Sequence, residues 1–112
     1  MKLYTGKIPP LAHDLVDALI KAKAIEVLPD EVKEVEMDVE SVLKEYVRVD
    51  REVTDRARDV IAAEKRDYSE LNKVKSQIAR DRNFGIGESM GEYISAQLIE
   101  ALLHSRHVEE VF

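Results

Sequence analysis

The chain has no cysteine and no tryptophan among its 112 residues. The absence of cysteine excludes disulfide bonds, thiolate metal sites and cysteine nucleophiles. No apolar run approaches the roughly 18 residues that a membrane-spanning helix needs, and the first ten residues lack the apolar stretch of a secretory signal peptide. These absences predict a cytoplasmic protein that does not associate with membranes.

Glycine and proline are also scarce, with four and three residues, and neither occurs from residue 30 to residue 84. A content of 45% hydrophobic and 36% charged residues is typical of a helix-rich chain, and the length predicts a single domain over residues 1–112. The net charge of −6 argues against broad binding to nucleic acid or anionic lipid. Few amides accompany the many Glu, Lys and Arg residues, a balance that favours a thermophilic source.

Two segments of the chain are nearly the same. Residues 11–20 align with residues 94–103, and the alignment continues from 25–28 to 108–112 with one inserted residue. The identical pairs are Leu15/Leu98, Ala18/Ala101 and Leu19/Leu102. Such a repeat marks a structural unit built twice. The first unit continues into a long helix, whereas the second stops at Phe112, so we predict one repeat and the opening of another.

The apolar spacing predicts four helices, near residues 10–24, 30–66, 69–83 and 88–110, and no strand of consequence. Pro10 suits a first helical turn, Ser69 is placed to cap the third helix, and Ser89 and Glu92 form a capping-box pattern before the last. The expected apolar face of the first helix is Leu11, Leu15, Ala18, Leu19 and Ala22. We therefore expect an all-α helical bundle in which the long second helix is the spine and the two repeated helices pack along it.

The second helix carries an apolar seam that alternates steps of three and four. The seam residues are Val32, Val35, Val39, Val42, Tyr46, Val49 and Val53. A helix over 30–66 would be about 55 Å long, whereas a compact domain of this size has a radius of gyration of about 13 Å. Such a helix must kink, project or be covered by another chain. The seam thus predicts a non-enzymatic interaction or assembly module that forms a homo-oligomer, with a dimer favoured, or docks a protein partner.

Charge along this part of the chain is polarised. Residues 26–45 carry eight acids and two bases, whereas residues 48–82 carry ten bases and eight acids. Acids at the start of a helix and bases towards its end suit the helix dipole. The same polarity favours an antiparallel neighbour.

Three residues near the end of the chain could hold a divalent metal. Glu100, His104 and His107 stand at i, i+4 and i+7 of the expected last helix, and imidazole and carboxylate groups suit zinc or nickel. The alternative is a polar outer face near a helix end. Since this spacing alone is a weak signal, no cofactor and no metal is predicted. No catalytic residues can be assembled by spacing.

The third helix has the only basic surface. Its candidate nucleic-acid residues are Lys73, Lys75, Arg80 and Arg82. These could make the protein an RNA- or ribosome-associated factor, because aromatic residues flank the helix and could stack on bases. Acidic residues dilute the patch, however, and a solvated face rich in salt bridges explains it equally well.

Several stretches resemble a bacterial family known as domain of unknown function 507. They include the opening Lys2-Leu-Tyr with Lys7-Ile8, the link that ends Pro29-Asp30, Asp50-Arg-Glu-Val53 and the closing Val108–Phe112. The resemblance implies a small helical bacterial protein whose relatives often carry two similar units in tandem. It implies no catalytic or ligand residues. This chain departs from the pattern by stopping where a second long helix is expected.

Overall fold

The computed structural model describes residues 3–112, and this part of the chain forms four α-helices and one short strand pair. The helices are α1 (Ile8–Lys21), α2 (Val32–Ala63), α3 (Leu71–Asp81) and α4 (Met90–His104). A short 3₁₀ turn precedes each helix. The strands β1 (Ile25–Glu26) and β2 (Glu110–Val111) are antiparallel. The predicted all-α class is confirmed. Lys2, where the family resemblance begins, lies outside the described residues.

The long helix α2 is the spine, as predicted. Its 32 residues correspond to about 48 Å, and the molecule measures 55 × 25 × 20 Å. Helices α1 and α4 pack on the first half of α2, where Val35, Val39 and Leu43 join one buried cluster. Helix α3 packs on the second half, where Ala57 and Ile61 meet Val74. The spine is therefore covered along its length by helices of its own chain.

This covering places most of the valine seam in the intramolecular core. Four seam residues are buried, namely Val35, Val39, Tyr46 and Val53. The other three, Val32, Val42 and Val49, are half-buried. The folded chain thus leaves the four buried positions inaccessible to any partner, and a docking surface has to be formed by other residues.

The first helix differs from its prediction in both register and boundaries. It begins at Ile8 instead of Pro10, and its buried face is Ile8, Ala12 and Val16. Leu15 and Leu19 are half-buried, as their predicted place on the apolar face requires. The rest of that predicted face, Leu11, Ala18 and Ala22, is exposed. Apolar residues occur on several sides of this helix, so the position of α2 decides which side is covered.

The predicted caps are wrong for two helices. Asp67, not Ser69, caps the turn before α3, because its carboxylate accepts the Ser69 backbone N–H at 2.8 Å. That hydrogen bond lowers the pKa of Asp67. Ser89 makes no side-chain capping bond at α4. The 3₁₀ turn Gly87–Ser89 leads into α4 in its place, with Gly87 at a φ of +59°.

Helix ends also fall earlier than expected. Lys23, Lys65 and Asn83 follow the first three helices in the left-handed conformation, with φ between 52° and 58°. This conformation ends a helix and is usually taken by glycine. Helix α4 ends at His104, six residues before its predicted end, since Ser105 is extended and its hydroxyl donates to Asp38.

The repeated links pair with each other. Ile25 lies opposite Val111 and Glu26 opposite Glu110 in an antiparallel register. The Phe112 N–H donates to the Ala24 carbonyl oxygen at 2.8 Å. Because an antiparallel pair has a local two-fold relation, the two repeat units meet where their sequences are most alike.

Three aromatic rings fix the loop before α4 against the spine. Tyr46, Phe84 and Tyr93 have ring centroids 4.8 to 5.9 Å apart. The Tyr46 hydroxyl donates to the Gly85 carbonyl oxygen at 2.8 Å. Burial, helped by the Asp50 charge, raises the pKa of Tyr46 to about 12. The phenol therefore stays protonated and keeps donating this hydrogen bond at physiological pH.

Candidate docking groove

A groove of about 500 Å³ runs between α2 and α4. Its apolar lining comes from both helices and includes Val42, Val49, Ile94 and Ala101. All four are half-buried, so each has surface that a ligand could reach. Two of the seam residues that the sequence analysis singled out therefore lie here, at the edge of the spine that α4 leaves open.

The local sequence explains why the groove is open. Leu98 and Leu102 of α4 pack into the core cluster beside α1 and the first half of α2. Ser41, Ala101 and Ser105 line the groove with short side chains that cannot fill the space between the two helices. The sequence analysis missed the α4 side of this site. The available signal was an α4 sequence that is apolar on more than one side.

The rim of the groove on α2 is acidic. Asp38 and Glu45 both line it. Arg48 grips Glu45 with two hydrogen bonds of 2.7 and 2.9 Å and lowers the pKa of that carboxyl. Asp38 accepts the Ser105 hydroxyl, which ties the end of α4 to the spine. The groove therefore opens beside the acid-rich part of the chain that the sequence analysis identified.

The structure does not bring the three metal candidates together. His104 Nδ1 lies 2.8 Å from the Glu100 carbonyl oxygen, within α4. His107 follows the helix end, and its Nδ1 lies 2.6 Å from Glu31 Oε2 on the far side of the fold. The expected i, i+4, i+7 alignment is wrong because the helix stops at His104. Residues 3–112 contain no group of three or more ligating side chains placed to hold a metal.

The third histidine also contacts a carboxylate. His13 Nδ1 on α1 lies 2.9 Å from Oε2 of Glu36, the one charged residue of the described chain that is buried. The hydrogen bond to Glu36 and the charge of that carboxylate raise the pKa of His13, and Asp14 and Asp17 add smaller effects of the same sign. This contact joins α1 to the acidic first half of α2.

The His13 contact predicts a pH dependence of stability. A group whose pKa is raised by folding stabilises the folded state fully below its ordinary pKa, here 6.5, and this contribution is lost as the pH rises through the folded value. We expect the urea midpoint of the wild type to fall from pH 6 to pH 8. In the His13→Gln variant the fall should be smaller. Parallel pH profiles for the two proteins would contradict the assignment.

The four basic candidates are divided between two environments. Lys75 Nζ lies 2.9 Å from Asp50 Oδ1, and Arg82 Nη1 lies 2.9 Å from Glu52 Oε1. The Arg82 contact, followed by that of Arg48, lowers the pKa of Glu52. Lys73 and Arg80 form no ion pair in the described part of the chain, and their spacing of seven puts them on one side of α3. Only these two remain for phosphate contacts.

Comparison with known proteins adds one result. A family model described as a protein of unknown function, DUF507, matches residues 1–112, the whole chain. The chain belongs to the DUF507 family. No curated protein and no solved structure matches it. In the described part of this DUF507 chain, no helix combines the length and apolar character that crossing a membrane requires.

Proposed function

We propose that this DUF507 protein is a non-enzymatic interaction module that docks a helix of a partner protein in the groove between α2 and α4. The partner segment is an amphipathic helix with small or branched apolar residues on one face and basic residues beside that face. The observation that carries the proposal is the pair of half-buried valines, Val42 and Val49, facing Ile94 and Ala101 across an open groove.

The shape of the groove favours a helix as the ligand. Val42 and Val49 are seven residues apart, or two turns of α2, so the apolar lining extends about 10 Å along the spine. Helices that bind in grooves insert side chains spaced at i, i+3 or i+4 and i+7, which span the same distance. The groove therefore accommodates two turns of one partner helix.

Charge defines the chemistry of the partner. Asp38 and Glu45 flank the apolar lining, and the whole chain carries a net charge of −6. Complementary charge on a partner accelerates encounter and suppresses wrong partners more than it increases affinity. Lys and Arg residues beside the apolar face of the partner helix would meet this acidic rim, whereas acidic residues there would be repelled.

The test uses displayed peptide libraries and the whole protein. One library has apolar residues at i, i+4 and i+7 with flanking Lys and Arg, and a matched library replaces those bases with Glu. We expect binders from the basic library only, with dissociation constants in the micromolar range. Amide chemical shifts should change around Val42, Val49, Ile94 and Ala101.

Variants test whether the selected peptides use this groove. Val42→Asp places a carboxylate on the lining and should weaken binding at least about tenfold, by burying an unpaired charge under the peptide. Met37→Asp adds the same charge on α2 outside the lining and is the control. Equal affinities for wild type and Val42→Asp, or equal yields from the two libraries, would contradict the proposal.

The same spectra address the two alternatives. Binding of a mixed RNA sample through Lys73 and Arg80, weakening steeply with salt as phosphate contacts do, would replace the groove proposal with the RNA-associated one. Stoichiometric metal in untagged protein, lost in His104→Ala, would favour the metal-binding alternative. We expect neither, because the basic candidates are divided and the histidines lie on separate acids.

The proposal also includes a setting. The composition and the family resemblance favour the cytoplasm of a thermophilic bacterium, where a small helical module would meet its partner as a free domain. Fractionation of the source cells would check this. Recovery of the protein in the membrane or secreted fraction would contradict it.

A further inference from the structure

Helix α4 has a second apolar surface, on the side away from the groove. Ile99 and Leu103 are 54% and 59% exposed, and their spacing of four places them on one stripe with Ala96 and Glu92. No residue of this stripe lines the groove. Large side chains this exposed on adjacent turns of a helix form an apolar patch typical of a protein interface.

The internal repeat shows how the first unit treats the same positions. Ile99 and Leu103 align with Val16 and Ile20 of α1. Val16 is fully buried in the cluster that contains Val35 and Val39 of α2. Within residues 3–112, no helix performs that covering role for α4. The same face of the repeated helix is thus covered in one unit and bare in the other.

The charges at the two ends of the stripe are complementary. Glu92 lies near the start of α4, and Arg106 lies just beyond its end. Neither residue forms an ion pair in the part of the chain that the structure describes. An antiparallel copy of α4, related by a two-fold axis at Ile99, would place Arg106 of the second copy opposite Glu92, and the reverse. It would also place Leu103 opposite Ser95, a small residue that leaves room for it.

We propose that a second copy of this chain covers the stripe, as a symmetric antiparallel pair of α4 helices. A two-fold interface needs one patch that is complementary to itself, with each contact made twice. The stripe meets this condition, with an acid at one end, a base at the other and apolar residues between. The two α4 helix dipoles also run in opposite directions in this pair, which favours association.

The small area determines the strength of the pair. Helix α4 has 15 residues and is about 22 Å long. A stable complex typically buries about 800 Å² on each partner, which is more than one face of so short a helix provides. The dimer is therefore weak, with a dissociation constant in the micromolar range, and it forms reversibly with concentration.

Sedimentation equilibrium of the whole chain tests the pair. From about 5 to 500 µM, the wild-type mass should rise from that of the 12.8 kDa chain towards twice that value. Ile99→Asp should weaken dimerisation at least about tenfold, because each copy would bring a carboxylate to the axis. Circular dichroism should be unchanged, since Ile99 faces solvent. Met37→Asp alters an equally exposed apolar residue, 54% exposed, and should dimerise as the wild type does.

Charge exchange distinguishes this geometry from non-specific apolar contact. Glu92→Arg or Arg106→Glu alone should weaken dimerisation, whereas the double variant should restore it, because the opposite charges again face each other. A wild type that is monomeric at 500 µM would overturn the proposal. So would single and double charge variants of equal affinity, or an Ile99→Asp protein that dimerises normally. Val42→Asp should dimerise normally, so failure of the groove proposal leaves this one intact.

Discussion

Replacing Val39 with aspartate is expected to abolish the cooperative unfolding transition, whereas the same change at Val42 leaves the chain folded. The two residues are neighbours in the valine seam, three positions apart on α2. Val39 is 1% exposed inside the cluster formed with α1 and α4. Val42 lies at the groove, where a carboxylate would reach water.

The size of the effect at Val39 follows from desolvation. An unpaired charge in an apolar interior costs several kcal/mol even after the surroundings relax. A small domain has a total stability of about 5–15 kcal/mol, so this loss removes much or all of it. In the Val42→Asp variant we expect a loss of about 1 kcal/mol or less, because only part of the valine surface is buried.

Thermal unfolding followed by circular dichroism measures this difference. The Val39→Asp protein should show reduced helix content and no sharp transition at 25 °C and above. The Val42→Asp protein should unfold cooperatively within a few degrees of the wild type. A folded Val39→Asp protein would show that the seam is not the core of the folded chain, and it would also undermine the assignment of the groove.

Substituting Gly85 with alanine is expected to destabilise the fold by about 2 to 3 kcal/mol. An added Cβ at this position would lie 2.5 Å from the Tyr93 Cβ and 2.6 Å from the Ser89 carbonyl oxygen. One contact is to backbone and the other to the root of a side chain, so neither can be relieved by a rotamer change. The loop would have to move, which would disturb the Tyr46 hydrogen bond to the Gly85 carbonyl oxygen.

Gly91→Ala is the matched control and has the opposite sign. No atom lies within 4 Å of a Cβ built at Gly91, which is in the first turn of α4. Alanine should stabilise a helical position of this kind by about 0.5–1 kcal/mol. Urea unfolding of both variants gives the comparison. Similar midpoints for the two would show that the Gly85 backbone has room that the structure does not provide.

Local patterns in the sequence were sufficient for the architecture. The absence of glycine and proline from residue 30 to residue 84 allowed a long helix, and steps of three and four placed Val35, Val39 and Val53 on its buried side. The shift of the stripe towards Ala57 and Ile61 was also correct, and both are buried against α3. Helical periodicity is a property of one segment, so it can be interpreted without knowing what packs against it.

The helix boundaries were harder to predict because the usual signals are missing. Lys23 and Lys65 end their helices in a conformation that glycine normally takes, so the composition gave no sign of the ends. The capping pattern at Ser89 and Glu92 was present but is not used. Contacts distant in the chain decide these points, such as the bond from Ser105 to Asp38 that accompanies the end of α4.

The sequence by itself determined that the chain is helical, that α2 is its spine and that its ends repeat one unit. Only the tertiary structure decided which apolar residues are core and which are surface. Val39 and Val42, or Val16 and Ile99, are equivalent by pattern but differ in burial, because the positions of α1 and α4 on the spine cover one of each pair. Likewise His107 meets Glu31 across 76 residues. Such pairings depend on how elements dock, and no local periodicity encodes them.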